Sequence, residues 1–165
     1  MAEKGGFRIG VALSETTDTM NNQSPEFQIF LKVEFDHDVD VTLLTDMLGV
    51  EPSHCISYHD AGFTRIDRQK LPAAWWYAYP SNREYLPSWS LQNVLEEFFA
   101  KFDDGRLERM KQYVRDGNGS VILTVNGYFF HEQVPELCIY GRPMRCLNKL
   151  DADLMINLNE DNSSQ

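Results

Sequence analysis

No apolar run in this 165-residue chain approaches the ~18 residues a membrane-crossing helix requires, so no such helix is expected. Cysteine is scarce and odd in number. Cys55, Cys138 and Cys146 show no paired spacing, which excludes a disulfide framework and reads as reduced thiols of a cytosolic protein. The opening residues, Met1 to Gly6, carry no apolar core of a signal peptide, and a cytoplasmic location is the expectation. Positive charge is in short supply as well: 15 Lys and Arg stand against 25 Asp and Glu, a net charge of −10. That balance opposes attraction to nucleic-acid phosphates or anionic lipid, and basic or neutral partners fit better. Glycine-rich phosphate loops, HExxH and GxSxG are also missing, so no reaction is written in a short motif and no cofactor is implied.

What is present is globular. Hydrophobic residues make up 42% of the chain and charged residues 24%, outside the range of disordered or fibrous sequences. A single domain of this length removes roughly 70% of its unfolded surface from water and can build a core without staples.

Residues 1–25 read as an N-terminal arm and linker, in which Phe7 to Leu13 alternates weakly as a short strand and Ser14 to Pro25 is polar. The domain is expected over 26–159, with a polar tail at 160–165. Phe27, Ile29, Leu31, Val33 and Phe35 recur at every second position, the pattern of a half-buried strand, and only Phe30 breaks the polar side. Asp40 can cap a short helix that turns Val41, Leu44 and Leu48 inward, and Gly49 and Pro52 stop it. Residues 53–72 read as a loop with one short strand near Cys55 to Tyr58. Leu91, Val94, Leu95, Phe98, Phe99 and Phe102 form the strongest helical stripe, Asp103-Asp104-Gly105 interrupts it, and Leu107, Met110 and Val114 resume it. Val121 to Val125, Glu136 to Tyr140 and Leu154 to Leu158 read as strands, with Pro143 in the first turn of a short helix. The expected class is α+β: an antiparallel or mixed sheet with helices mainly on one face, and a strand–helix–strand module that opens the domain and recurs near its end.

The segment Ala73-Ala-Trp-Trp-Tyr-Ala-Tyr79 is the most informative. Neighbouring residues of a strand point to opposite sides of its sheet, so Trp75 and Trp76 cannot share one core. Trp75, Tyr77 and Tyr79 make one surface; Trp76, between Ala74 and Ala78, makes the other. One side is expected to be a partly exposed aromatic platform. Arg65, Arg68 and Lys70 precede this strand as the only dense basic cluster, and beside Trp75, Tyr77 and Tyr79 they resemble a corner that holds an anion. The plain alternative is a solvated loop in which Arg65 and Arg68 flank Asp67.

Other clusters carry less. His54, Cys55, His59 and Asp60 suit a metal or a Cys–His nucleophile only loosely, because their spacing matches no zinc pattern; a polar loop explains them, and no metal or catalytic residue is assigned. Asp36, Asp38 and Asp40 alternate as in the start of a calcium loop, but Val41 and Met47 stand where that loop needs glycine and a bidentate glutamate. Cys138 and Cys146 read as small buried hydrophobes, and Glu96, Glu97 and Glu108 as solvated helix faces.

Leu48-Gly-Val-Glu-Pro52, Ala61-Gly62, Trp75 or Trp76, and Ser90-Leu91 opening a long apolar helix together resemble a bacterial family, the domain of unknown function 4279. The resemblance spans roughly Phe27 to Leu158 and departs from the family pattern at Asn157, where an acidic residue is usual. It implies a small bacterial cytosolic protein and transfers no catalytic residue. Two functions follow as expectations. One is a non-enzymatic binding module, of immunity or inhibitor type, that masks a protein partner through an aromatic, acid-rimmed sheet face. The other is a small-ligand or enzymatic domain with an aromatic pocket in which Arg65 or Arg68 holds an anion.

Overall fold

A computed structural model describes residues 9–14 (by backbone alone), 24–57, 72–81, 84–129 and 133–160. In chain order the elements are β1 (Ile9–Ser14), β2 (Glu26–Phe35), α1 (Leu43–Leu48), β3 (His54–Ile56), β4 (Ala73–Tyr79), β5 (Leu86–Pro87), α2 (Leu91–Phe99), α3 (Asp104–Asp116), β6 (Ser120–Phe129), α4 (Gly141–Leu150) and β7 (Asp153–Glu160). The strands form one mixed sheet in the order β1-β7-β6-β2-β4-β3, with β5 continuing along β2 beyond β4. The class is α+β, as the alternation and helical stripes require.

The central pairs β2–β6 and β2–β4 are antiparallel, whereas β6–β7 and β7–β1 are parallel. Both strand–helix–strand modules join strands of like direction. In β6-α4-β7 the two strands are neighbours; in β2-α1-β3, β4 lies between them. The N-terminal segment is more than an arm, because β1 pairs with β7 over its whole length and extends the sheet into residues 1–25. Glu136 to Tyr140 is not a strand. Its only sheet-like contact is a single bridge between Glu136 and Ser90, while Leu137 and Ile139 pack against the core. Alternation there reflects one-sided burial without a partner strand.

The described helices cover one side of the sheet. Phe27, Ile29, Leu31, Val33 and Phe35 of β2 and Val121, Leu123 and Val125 of β6 meet the stripe of α2 and the inner faces of α3 and α4. Where Gly127 aligns with Phe27 and Leu158, an added Cβ would fall 2.8 Å from Leu158 Cδ2, so the missing side chain lets those two close over the strand.

Helix ends are satisfied by charged side chains from neighbouring elements. Asp103 caps α3 by accepting from Arg106 N at 2.8 Å, which holds its carboxyl below the usual range. Arg106 in turn donates through Nη1 to Leu48 O at 2.9 Å at the end of α1, beside Gly49 in the left-handed region at φ 67°. Arg142 donates to Phe102 O at 2.7 Å below α2. Asp40 accepts from Thr42 N at 3.1 Å in the turn that leads into α1, but it is not the expected cap: the helix begins at Leu43 and its N-cap is Thr42, so Asp40 lies two residues too early.

Candidate functional site

Among the described residues no helix lies on the sheet's other side, and its residues run in rows set by strand register. One row is His54, Trp76, Lys32, Ile122 and Asp153. The next is Ala78, Phe30, Thr124 and Met155, then Gln28, Asn126 and Asn157, then Glu26, Tyr128 and Asn159. Trp76 is half-buried at the β4 end. Its indole stacks on His54 with centroids 4.7 Å apart and planes 20° apart, and Lys32 Nζ lies 5.0 Å from its ring centre. Lys32 also pairs with Glu34. Met155 is exposed, and Tyr85 meets Tyr128 edge to face at 5.1 Å.

A cleft of about 620 Å³ opens on this side beside β4. Gln28, Phe30 and Ala78 line it from the sheet, and Glu51, Pro52 and Ser53 line it from the segment after α1. That segment is tied to β4 because Ser53 N donates to Trp76 O at 2.8 Å. Charge around the open side is mostly negative among the described residues. Glu26, Glu34, Glu51 and Asp153 border it, and Lys32 is its only ammonium among the described residues.

The parity of the two tryptophans holds, but the expected platform is on the covered side. Trp75 has 0% exposure and donates through Nε1 to Thr45 Oγ1 at 3.2 Å on α1, so no guest can reach it. This corrects the assignment of a binding role to Trp75. Tyr77 and Tyr79 share its side, pack on Phe98 and are half-buried. Tyr79 donates to Glu97, and Lys101 Nζ lies 4.2 Å from its ring centre. Burial and the Glu97 carboxylate push the Tyr79 phenol up to about 12. The physical reason is register: Ile29, Leu31 and Val33, all core residues, align with Tyr79, Tyr77 and Trp75. Trp76 aligns instead with Lys32.

Arg65 and Arg68 lie outside the described residues, as do His59 and Asp60. His54 and Cys55 are separated by the sheet. His54 stacks on Trp76, whereas Cys55 aligns with Trp75 on the opposite side, and burial together with Asp40 pushes its thiol up, away from the reactive thiolate. Among the described residues no cluster of three His, Cys, Asp or Glu side chains is placed to hold a metal. Cys146 is buried as expected, with its thiol pushed up by burial, but Cys138 is exposed. The residues that sequence reasoning missed are Gln28 and Glu51. Phe30 had a signal, since it interrupts the polar side of β2, and Trp76 had one in its small neighbours Ala74 and Ala78.

Compared with known proteins, the chain is matched by no family model, no curated protein and no solved structure.

Proposed function

We propose that this protein is a non-enzymatic binding module that receives a basic protein surface on the open side of its sheet, as an immunity or inhibitor protein masks its target. The observation that carries this reading is the pairing of Trp76, Phe30 and Met155 with a border of Glu26, Glu34, Glu51 and Asp153 on a side that no described helix covers. Aromatic and methionine side chains are enriched where proteins meet, and a negative border steers a positive partner and suppresses wrong ones. The net charge of −10 acts in the same direction over longer range. The resemblance to the domain of unknown function 4279 family fits, since it brings no catalytic residue.

Co-purification from the native host tests the proposal. A stoichiometric basic protein is expected at low salt, released at about 0.5 M salt where the screening length shrinks to a few ångström, and absent when Trp76→Ala or Asp153→Lys protein is the bait. No stoichiometric partner at low salt, or equal capture by both variants, overturns it. The cleft volume of about 620 Å³ favours a second reading, a small ligand, because such sites span about 300–1,000 Å³. Saturable quenching of tryptophan fluorescence by a phosphate-bearing metabolite would select it.

A further inference from the structure

The helical layer holds a cleft whose charge is opposite in sign to that of the chain. Its volume is about 140 Å³, and it lies where the first residue of α3 meets α4, lined by Asp104, Arg142, Arg145, Cys146 and Lys149. Arg142, Arg145 and Lys149 are spaced i, i+3 and i+7 along α4, which sets them in one row on its surface. Three cations therefore face one carboxylate, an excess of two positive charges in a chain whose net charge is −10.

Each cation is held differently. Arg142 is half-buried and fixed, since its Nη2 donates to Phe102 O at 2.7 Å. Lys149 is half-buried with Nζ 3.3 Å from Asp104 Oδ2, whereas Arg145 is exposed and has no hydrogen bond or ion pair among the described residues. Both guanidinium groups thus carry more N–H donors than the described residues meet. The end of α3 is itself occupied, because Asp103 accepts from Arg106 N at 2.8 Å, so recognition falls to the side chains. We propose that this cleft binds a compact tetrahedral dianion of phosphate type, free or as the phosphate group of a small metabolite. Arg142 and Arg145 each offer a planar fork to its oxygens, and Lys149 offers a point charge. A carboxylate ligand brings one charge and leaves a cation unmatched. Size sets the other limit: sites for drug-sized ligands begin at about 300 Å³, so this cleft admits a charged head and leaves any remainder of the ligand outside. The inference is independent of the masking function, because the cleft is built on α3 and α4 and not on the open side of the sheet.

The test uses the full chain, labelled with ¹⁵N and titrated at one ionic strength with inorganic phosphate, glycerol 3-phosphate, acetate and chloride, at about pH 8 where both phosphates are mainly dianions. The two phosphates are expected to shift the backbone amides of Arg145, Cys146 and Lys149 in a saturable way; acetate and chloride are not. Glycerol 3-phosphate at least as tight as inorganic phosphate assigns the site to a phosphorylated metabolite, and weaker binding assigns it to the free ion. Arg145→Gln should weaken phosphate about tenfold and leave the thermal melt unchanged, because Arg145 is exposed. Asp104→Asn should tighten phosphate about threefold by removing the competing carboxylate, a gain that loss of folding cannot imitate. Shifts that do not saturate, equal responses to phosphate and chloride, an Arg145→Gln protein that binds as the parent does, or weaker binding by Asp104→Asn would each overturn the assignment.

Discussion

Replacing Trp75 by alanine removes an indole with no exposed surface, and replacing Trp76 removes its half-buried neighbour on the other side of the same strand. The two substitutions are identical in chemistry and differ only in where the side chain goes. Truncating a large core aromatic costs about 3–5 kcal/mol through lost transfer energy and the cavity left behind. The Trp75 site cannot collapse readily, because Tyr77 at 6.3 Å and the Thr45 hydroxyl at 3.2 Å are held by their own elements. Against a total stability of about 5–15 kcal/mol, Trp75→Ala is expected to remove about a fifth or more. Among the described residues, replacing Trp76 removes a stacked pair with His54 and a cation contact with Lys32. Those are worth about 0.5–1.5 and 0.5–1 kcal/mol, so Trp76→Ala is expected to cost about 1–2.5 kcal/mol. Urea unfolding followed by far-ultraviolet circular dichroism measures both without relying on the removed fluorophore. The midpoint should fall far for Trp75→Ala and slightly for Trp76→Ala, with similar slopes. Equal losses, or a larger loss for Trp76→Ala, would refute the assignment of covered and open sides.

Gly49→Ala should destabilise by about 1–3 kcal/mol, because a side chain in the left-handed region is strained, and its Cβ would fall 2.6 Å from Arg106 Nη1, dislodging the donor to Leu48 O; a thermal melt checks it. Tyr79, with an ordinary value of 10.0 raised to about 12, binds its proton in the folded state after the unfolded chain has released it. Its contribution is therefore complete below the unfolded value and lost as pH rises through the folded one. Between those two values, stability followed by chemical denaturation should fall less steeply in Tyr79→Phe than in the parent. Asp103 has the opposite sign: its lowered carboxyl contributes above the unfolded value, and that contribution disappears as pH falls through the folded one, so Asp103→Asn should flatten the acid limb of the same measurement.

Local periodicity made much of the fold legible. The β2 alternation, the apolar stripe of α2, the break at Asp103 and the stop at Gly49 each express a constraint carried by a few neighbouring residues. Glu136 to Tyr140 misleads for the same reason, since alternation reports one-sided burial and a strand also needs a partner along its length. β1 is too short to declare by itself that β7 would adopt it.

The candidate site was only half visible. Sequence alone determined that Trp75 and Trp76 diverge, because the pleat of a strand allows nothing else. Which of them is buried was decided by the register of β4 on β2, and a slip of one residue would exchange them. The cleft belongs to tertiary structure even more fully. Gln28 and Glu51 are far apart in the chain, and they line one cleft because β4 lies beside β2 and Ser53 is hydrogen-bonded to β4. Residue order prescribes the local pattern of apolar and polar groups, but burial and proximity depend on which elements pack together.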